Sequence, residues 1–266
     1  MNLTEFQYYD LVIDILQHGH DRVDRTGIGT RSIFGATMRF DLQEGFPLFT
    51  HKKVFWKIAF KEMLLFLKGK TELRDFLKEN VRIWSDWPLD RYKRMSGEDI
   101  TQEEFEERIL DDDHFSRLWG DLGPIYGKQW RNWETNDGRS IDQVSQVLDL
   151  IKNNPTSRRI LWDGWNVGDL DKMTLPPCHK EYQFFVRDNF LDMKLSQRSV
   201  DVGLGLPFNI CAAAMLLTIV SQQTDLKPGV LTWMGGDTHI YKNHERPLSV
   251  ILARNPRPSP KLIIKN

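Results

Sequence analysis

The chain has 266 residues, of which 40% are hydrophobic and 27% charged, a composition typical of a globular protein with a sizeable core. Its formal net charge of -1 gives no general electrostatic reason to bind nucleic acid or a membrane, so local arginines must hold any anionic ligand. The N-terminus lacks a secretory-signal pattern, and no stretch approaches the roughly 18 apolar residues of a membrane span. We therefore expect a cytoplasmic protein.

The first predicted element is an amphipathic helix over residues 5–18, with Thr4 as its N-cap. The segment RTGIGTRSIFG (25–35) has two of the glycines of a dinucleotide-binding fingerprint, but an extended segment follows it where that fingerprint requires a helix. We interpret it as a phosphate-facing turn centred on Arg25. Residues 55–68 then form a mostly apolar predicted helix that contains one acidic residue, Glu62.

Further along, the pattern predicts a helix over 139–153, strands over 158–166, 181–186 and 190–198, and a buried helix over 207–223. A strand, a glycine turn and a helix are predicted within 230–244, and a short strand over 261–265. An acidic segment, 96–113, predicts a solvated helix inside a surface insertion at about 88–120. With no repeat or linker and no βαβ regularity, we expect one α+β domain over 1–266.

Cys178 follows two prolines in LPPCH (175–179), which favours a stiff loop that presents its side chain. A cysteine is often only a small buried hydrophobe, but a nearby cation such as Arg198 would favour the reactive thiolate. The two cysteines form no CxxC, and the histidines form no HExxH or Cys/His cluster. The sequence therefore predicts a candidate nucleophile, with no disulfide framework and no metal site.

Several motifs together resemble the thymidylate synthase family, in order and over nearly the full chain. They are DRTGIGT (24–30), IWSDW (83–87), DLGPIYGKQWR (121–131), SRR (157–159), WNVGDLDKM (165–173), LPPCH (175–179), QRSVDV (197–202), LGLPFN (204–209) and GGDTHIYKNH (235–244). The resemblance implies a twisted mixed β-sheet flanked by helices, with one sheet face packed against a second copy in a homodimer.

The resemblance also implies a reaction. Cys178 would add to C6 of dUMP, and C5 would then take a one-carbon unit from 5,10-methylenetetrahydrofolate without a metal. Glu62, with a pKa raised by burial, would move protons, and Tyr126 would assist proton removal at C5. The implied catalytic residues are Cys178, Glu62, Tyr126, Asp201 and Arg198.

Other matched positions would bind the two substrates. Guanidinium groups fit phosphate oxygens in pairs, and an asparagine amide matches uracil N3–H and O4. The implied dUMP-binding residues are Arg25, Arg158 and Arg159 (both from the partner subunit), Gln197, Arg198, Ser199, Asn209, His239 and Tyr241. The implied folate-binding residues are Lys52, Ile83, Trp84, Trp87, Asp201, Leu204, Gly205 and Phe208, although the tryptophans could equally be core.

Departures from the family pattern bear on the product. Family members usually have tyrosine at Ser196, phenylalanine at Gly203 and serine-alanine at 163–164, and they continue past Asn266 into a tail that closes over the folate. Lost aromatic rings and a lost lid would admit water, and about 1.4 kcal/mol in relative barriers shifts a partition tenfold. We therefore expect a dUMP hydroxymethylase, associated with phage DNA modification. The alternative is thymidylate synthase, and a remote one is a non-catalytic nucleotide- or RNA-binding relative.

Overall fold

A computed structural model describes residues 3–24 and 26–264. The chain divides into two compact units. The first comprises the residues up to Ala59, 148–161 and those from Cys178 onward, and the second comprises 60–147 and 162–177. The expectation of one domain over 1–266 stays a prediction.

The helices are α1 (Leu3–His18), α2 (Trp56–Leu67), α3 (Leu73–Lys78), α4 (Asp86–Ser96), α5 (Gln102–Asp111), α6 (Asp113–Trp119), α7 (Tyr126–Arg131), α8 (Gln143–Asn153), α9 (Gly205–Gln223) and α10 (Glu245–Leu252). The strands are β1 (His20–Arg22), β2 (Thr30–Asp41), β3 (Trp133–Glu134), β4 (Ser140–Ile141), β5 (Leu161–Asp163), β6 (His179–Arg187), β7 (Phe190–Asp201) and β8 (Lys227–Tyr241). Short 3₁₀ helices span Val167–Lys172 and Lys242–His244. Mixed strands and helices of this kind agree with the predicted fold class.

The first unit is built on a mixed sheet in which strands lie in the order β1-β2-β8-β7-β6. The β7–β8 pair is parallel, and the other pairs among these strands are antiparallel. The inner face of the sheet is buried, with Leu195 and Trp233 fully enclosed, and the long helix α9 also belongs to this core. The outer face, defined by Gln183, Phe185, Lys194, Ser196 and Met234, is more exposed.

Helix α9 is apolar on all sides because it is a core helix. Within the described part of the chain it is the one helix whose length and composition would allow it to cross a membrane, yet 67% of its apolar window is buried inside the protein. Burial of this extent is typical of the central helix of a globular unit. The prediction of a buried helix over 207–223 is therefore confirmed.

Several sequence predictions are wrong. The helix predicted within 230–244 is not an α-helix there, because β8 continues to Tyr241 and α10 begins only at Glu245. Strand β8 continues through Gly235 and Gly236, where the sequence predicts a turn. These glycines are needed because neighbouring atoms approach the strand closely. A Cβ on Gly236 would lie 2.6 Å from the carbonyl oxygen of Arg198. Residues 261–264 form no strand, and residue 265 lies outside the described residues. Thr4 lies inside α1, so it is not the N-cap of that helix.

The acidic segment of the second unit packs more tightly than a solvated helix would. Helix α5 begins at a capping box in which Thr101 and Glu104 satisfy each other's backbone amides. Its inward face places Phe105 and Ile109 at 0% exposure, and the buried Glu106 accepts a hydrogen bond from Ser85. This helix is therefore partly buried, and one of its acidic residues, Glu106, lies on the inward face.

The close approach at Gly236 gives a stability prediction. Gly236→Ala would force β8 away from the Arg198 carbonyl, so we expect the free energy of unfolding to fall by about 1–3 kcal/mol in urea denaturation. Gly168→Ala is the matched control, because the nearest atom to its added Cβ is 3.6 Å away, and its effect should stay within about 0.5 kcal/mol. Equal stability of the two variants would contradict the close approach.

Candidate active site

Cys178 lies immediately before β6, where the neighbouring strand brings Arg198 to it. The backbone N–H of Arg198 donates to the carbonyl oxygen of Cys178 at 2.9 Å, and Nη2 of its guanidinium lies 3.8 Å from Sγ. Cys178 is partly exposed and is not part of a disulfide. A cation beside sulfur stabilises the thiolate, which is the nucleophilic form of cysteine. The structure thus brings together the two residues that the sequence singles out for this role.

The other cysteine has the opposite environment. Cys211 is fully buried in α9, and this burial raises the pKa of its thiol to about 12. A thiol of this kind is protonated at neutral pH and is shielded from reagents. Cys178 is therefore the reactive cysteine of the pair.

Asn209, in the first turns of α9, is held by a hydrogen-bond chain from the sheet. Gln197 donates from Nε2 to Oδ1 of Asn209 at 2.9 Å and also to the carbonyl oxygen of Ser199. Oε1 of Gln197 accepts from Nε1 of Trp233 at 2.9 Å. The Gln197 amide is therefore engaged within the protein and fixes the orientation of the Asn209 amide. Its predicted contact with substrate stays a prediction.

His179 forms the second support of Asn209. Burial lowers the pKa of His179 to about 4, although its hydrogen bond to Asn209 acts in the opposite direction. Nδ1 of His179 lies 3.0 Å from the hydroxyl oxygen of Tyr182, which is fully buried. His179 is consequently neutral at pH 7. Sequence reasoning missed His179, Tyr182 and Trp233, although His179 is adjacent to the predicted nucleophile.

The predicted phosphate-binding arginines occupy different settings. Arg25 lies outside the described residues, but Asp24 beside it accepts hydrogen bonds from the backbone amides of Thr26 and Gly29, which form a tight turn there. Arg158 and Arg159 are exposed on the segment before β5. Arg158 borders a cavity of about 580 Å³ on the outer face of the sheet. These two arginines are thus free to reach a ligand beyond their own surface.

The ends of β7 and β8 place further predicted residues side by side. Asp201 pairs with His239 in the parallel register, and Ser199 pairs with Asp237. Nδ1 of His239 lies 3.1 Å from Oδ1 of Asp237, and its ring meets that of Tyr241 edge-on with centroids 5.4 Å apart. The strand ends therefore present polar groups in one row.

The predicted folate-binding segment begins with a turn at residues 202–204. Oδ1 of Asp201 accepts from the backbone amides of Gly203 at 2.8 Å and Leu204 at 3.3 Å. Nζ of Lys52 donates to the carbonyl oxygen of Gly203 at 2.5 Å. The turn leaves the side chain of Leu204 63% exposed, with Gly205 and Phe208 half-buried just after it. An exposed leucine beside a fixed carboxylate suits a ligand with both apolar and polar parts.

The expectation of open space beside Gly203 is wrong. A Cβ at Gly203 would lie 2.9 Å from Nδ1 of His244 and 3.3 Å from Oδ1 of Asp201. The imidazole of His244 thus occupies the position next to this glycine, 3.6 Å from the Asp201 carboxylate. The space that the glycine opens holds a protein side chain, so the substitution does not by itself admit water.

The other two departures also keep the local structure intact. Ser196 belongs to the outer face of the sheet, opposite to Gln197 because side chains alternate along a strand, and its hydroxyl lies 3.4 Å from Glu181. Asp163 accepts a hydrogen bond from the backbone amide of Trp165 at 2.6 Å, a turn that serine could also form. Both side chains are thus accommodated by local hydrogen bonds.

The second unit carries the candidate general acid–base. Burial raises the pKa of the Glu62 carboxyl to about 7, and the hydrogen bond from Nε1 of Trp84, at 2.7 Å, partly offsets that effect. Trp84 is only 4% exposed and packs against Trp87 and Tyr126. A carboxyl with a pKa near 7 can both accept and donate a proton at neutral pH.

The aromatic residues around Glu62 differ in exposure. Trp84 and Tyr126 are core residues, whereas Ile83 is 43% exposed and Trp87 is half-buried. Only the latter two offer substantial surface to a ligand. Over residues 3–24 and 26–264, no group of three or more His, Cys, Asp or Glu side chains could hold a metal ion.

The raised pKa of Glu62 has a consequence for stability. Because its folded pKa of about 7 exceeds its usual 4.5, Glu62 favours the folded state fully below pH 4.5, and this contribution is lost as pH rises to about 7. We expect the free energy of unfolding of Glu62→Gln, measured by urea denaturation, to rise relative to that of the parent protein as the pH increases from 5 to 8. A stability difference that does not change with pH would contradict the raised pKa.

Comparisons with known proteins agree with this arrangement. The family model described as Thymidylate synthase matches residues 6–266. A protein of Sinorhizobium fredii named thymidylate synthase is 54% identical over 98% of this chain and 88% of its own length. Proteins of the same name from Rhizobium rhizogenes and Novosphingobium aromaticivorans are 52% and 51% identical, over 97% and 98% of this chain and 87% and 86% of their own lengths. The chain therefore belongs to the thymidylate synthase family.

Proposed function

We propose that this protein is a thymidylate synthase, which converts dUMP to dTMP with 5,10-methylenetetrahydrofolate as the one-carbon donor and reductant. The observation that carries the proposal is the contact between Arg198 and the thiol of Cys178. The names of relatives that share about half of their residues with this chain support the methyl product. The dUMP hydroxymethylase favoured by the sequence is not supported, since these relatives are named thymidylate synthase.

Cys178 starts the reaction in this proposal. Its thiolate adds to C6 of the pyrimidine, and the electron pair of the C5–C6 bond becomes available at C5. C5 bonds to the methylene carbon of the folate. A base then removes the C5 proton while the bond from that carbon to the folate nitrogen breaks, which leaves an exocyclic methylene and tetrahydrofolate. Hydride from tetrahydrofolate reduces the methylene to a methyl group and leaves dihydrofolate, and the Cys178–C6 bond breaks as the product forms. Arg198 holds the sulfur anionic before addition and as it departs.

Asn209 selects uracil in this proposal. A side-chain amide can make up to four hydrogen bonds, and the contacts with Gln197 and His179 account for two of them. An asparagine amide offers an acceptor for the N3–H of uracil and a donor for its O4. Because the two protein contacts fix the amide, Asn209 meets the base without losing conformational entropy at that step.

Glu62 and Tyr126 provide the proton transfers in this proposal. With a pKa of about 7, Glu62 can protonate O4 as charge develops and can return the proton later. Tyr126 assists removal of the C5 proton. Trp84 donates a hydrogen bond to Glu62, so it also keeps the carboxyl group oriented.

The remaining predicted residues bind the ends of the two substrates. We assign the 5′-phosphate to Arg25, Arg158, Arg159, Arg198 and Ser199, and the 3′-hydroxyl to His239 and Tyr241. The folate rings would lie against Ile83, Trp87, Leu204, Gly205 and Phe208, with Asp201 on the pterin and Lys52 near the glutamate tail, whereas Trp84 belongs to the core. The exposed Leu204 beside the fixed Asp201 carboxylate supports this assignment.

We also propose a cytoplasmic homodimer that pairs through the outer face of the sheet. Phe185 is 65% and Met234 is 43% exposed on that face, and such apolar side chains favour burial against a partner. Arg158 borders the same face, so a second copy would bring its arginines toward the neighbouring subunit. This arrangement is consistent with the exposure of Arg158 and Arg159.

Product analysis tests the proposal. The protein incubated with dUMP and 5,10-methylenetetrahydrofolate should yield dTMP and an equal amount of dihydrofolate, measured by chromatography with mass detection. Cys178→Ala should lower the rate on the order of 10⁴-fold or more, because the covalent step is lost. Cys211→Ala is the matched control and should retain activity, since this cysteine is buried. Formation of 5-hydroxymethyl-dUMP, or of no product, would contradict the proposal.

A further inference from the structure

The turn at residues 202–204 is held through two successive carbonyl groups. The hydroxyl of Tyr8 in α1 donates to the carbonyl oxygen of Val202 at 2.9 Å, and this tyrosine is fully buried. Nζ of Lys52 donates to the next carbonyl oxygen, that of Gly203, at 2.5 Å. The main chain of the turn is therefore fixed from outside the turn itself.

A buried carboxylate controls the segment that precedes Lys52. Oε1 of Glu5, also in α1, accepts from the backbone amide and the hydroxyl of Thr50, both at 2.6 Å. Oε2 of Glu5 accepts from the backbone amide of His51 at 3.1 Å and from its Nδ1 at 2.6 Å. Because an ionised carboxylate only accepts, Nδ1 of His51 carries the proton. Four hydrogen bonds thus fix the two residues immediately before Lys52.

The charge on Glu5 is maintained although its side chain is enclosed. Burial acts to raise the pKa of Glu5, but the hydrogen bonds from His51 and Thr50 outweigh it and leave the pKa below its ordinary value. Glu5 and His51 are 0% and 3% exposed. A buried charge pair seldom adds stability beyond what apolar residues of the same volume would give. Its distinct effect here is geometric, because it fixes main-chain amides at set positions.

The two supports from α1 are joined to each other. Glu5 and Tyr8 are three residues apart, so they lie on the same face of the helix. The rings of Tyr8 and His51 stack with centroids 4.9 Å apart and planes 16° apart. Nη1 of Arg254 also donates to the carbonyl oxygen of His51 at 2.7 Å. A displacement of α1 would therefore move both contacts to the turn together.

We propose that Glu5 and Tyr8 are positioning residues for reduced-folate binding, which act by holding the turn at residues 202–204. Tyr8 acts directly on Val202, and Glu5 acts through Lys52 on Gly203. The inference rests on the proposed function for its assignment of Asp201, Leu204 and Gly205 to the folate. Neither positioning residue contacts substrate, so their removal should weaken folate binding while dUMP binding and the chemical step are retained.

The test compares Tyr8→Phe and Glu5→Gln with the parent protein in steady-state kinetics. We expect the KM for 5,10-methylenetetrahydrofolate to rise about tenfold, with kcat changed less than about twofold and the Kd for dUMP unchanged. Tyr8→Phe removes one hydroxyl and keeps the ring, so this variant remains informative if Glu5→Gln folds poorly. Ile15→Val, a fully buried position further along α1, is the control that lowers Tm without touching the turn.

A double-mutant cycle tests the route from Glu5. If Glu5 acts through Lys52, Glu5→Gln should add less than about twofold to the KM for the folate once Lys52→Met is present. Multiplicative effects in the double variant would overturn this route. A lowered Tm with unchanged KM for the folate, in Tyr8→Phe and Glu5→Gln as in Ile15→Val, would overturn the inference altogether.

Binding measurements separate this inference from the proposed function. Calorimetric titration of tetrahydrofolate into the enzyme–dUMP complex requires no turnover and should show the same tenfold weakening in Tyr8→Phe. Weakened binding without dTMP formation by the parent protein would contradict the proposed function alone. Normal dTMP formation with unweakened folate binding by the variants would contradict the inference alone.

Discussion

The pairing of β6 with β7 controls the environment of Cys178, and most of the site in the first unit depends on it. The register places His179 opposite Gln197, so the residue before the strand, Cys178, meets the backbone amide of Arg198. The same register turns Gln197 inward toward Asn209, while Arg198 reaches the thiol. A shift of one residue would exchange these faces and separate both contacts.

Burial sorts the titratable groups of this protein into distinct protonation states. His179 is kept neutral by a pKa of about 4, and Cys211 is kept protonated by a pKa of about 12. Glu62 is brought to about 7, where a carboxyl exchanges protons readily. Cys178 remains partly exposed beside a guanidinium. Burial thus keeps His179 and Cys211 in one protonation state at neutral pH, whereas Glu62 can change its state there.

The sequence predicts well those elements whose pattern is local. Apolar composition locates α9, and alternation locates β6 and β7 to within a few residues. It fails at Gly235 and Gly236, because local rules assign glycine pairs to turns, whereas here they allow a strand to pass close to its neighbour. The same limit hides the role of Gly203, since the side chain that fills its space, His244, lies on a later segment.

Sequence motifs identify the residues of the site, but they do not identify the hydrogen-bond partners that hold those side chains in place. The resemblance finds Cys178, Arg198 and Asn209, and the structure supplies the hydrogen bonds that join these residues. Gln197 illustrates the gap: its motif suggests a substrate contact, yet both ends of its amide are engaged by Asn209 and Trp233. The sequence pattern likewise gives Glu5 no role, whereas in the fold its buried carboxylate accepts hydrogen bonds from the backbone amides of Thr50 and His51.

The central claim is that the sulfur of Cys178 bonds to C6 of the pyrimidine. Because 5-fluoro-dUMP has no removable proton at C5, the covalent complex should accumulate when this analogue is mixed with 5,10-methylenetetrahydrofolate. Intact-protein mass spectrometry, followed by peptide mapping, measures it directly. The account predicts a mass increase equal to the analogue plus the folate, located on Cys178. An unchanged mass, or an adduct on another residue, would contradict it.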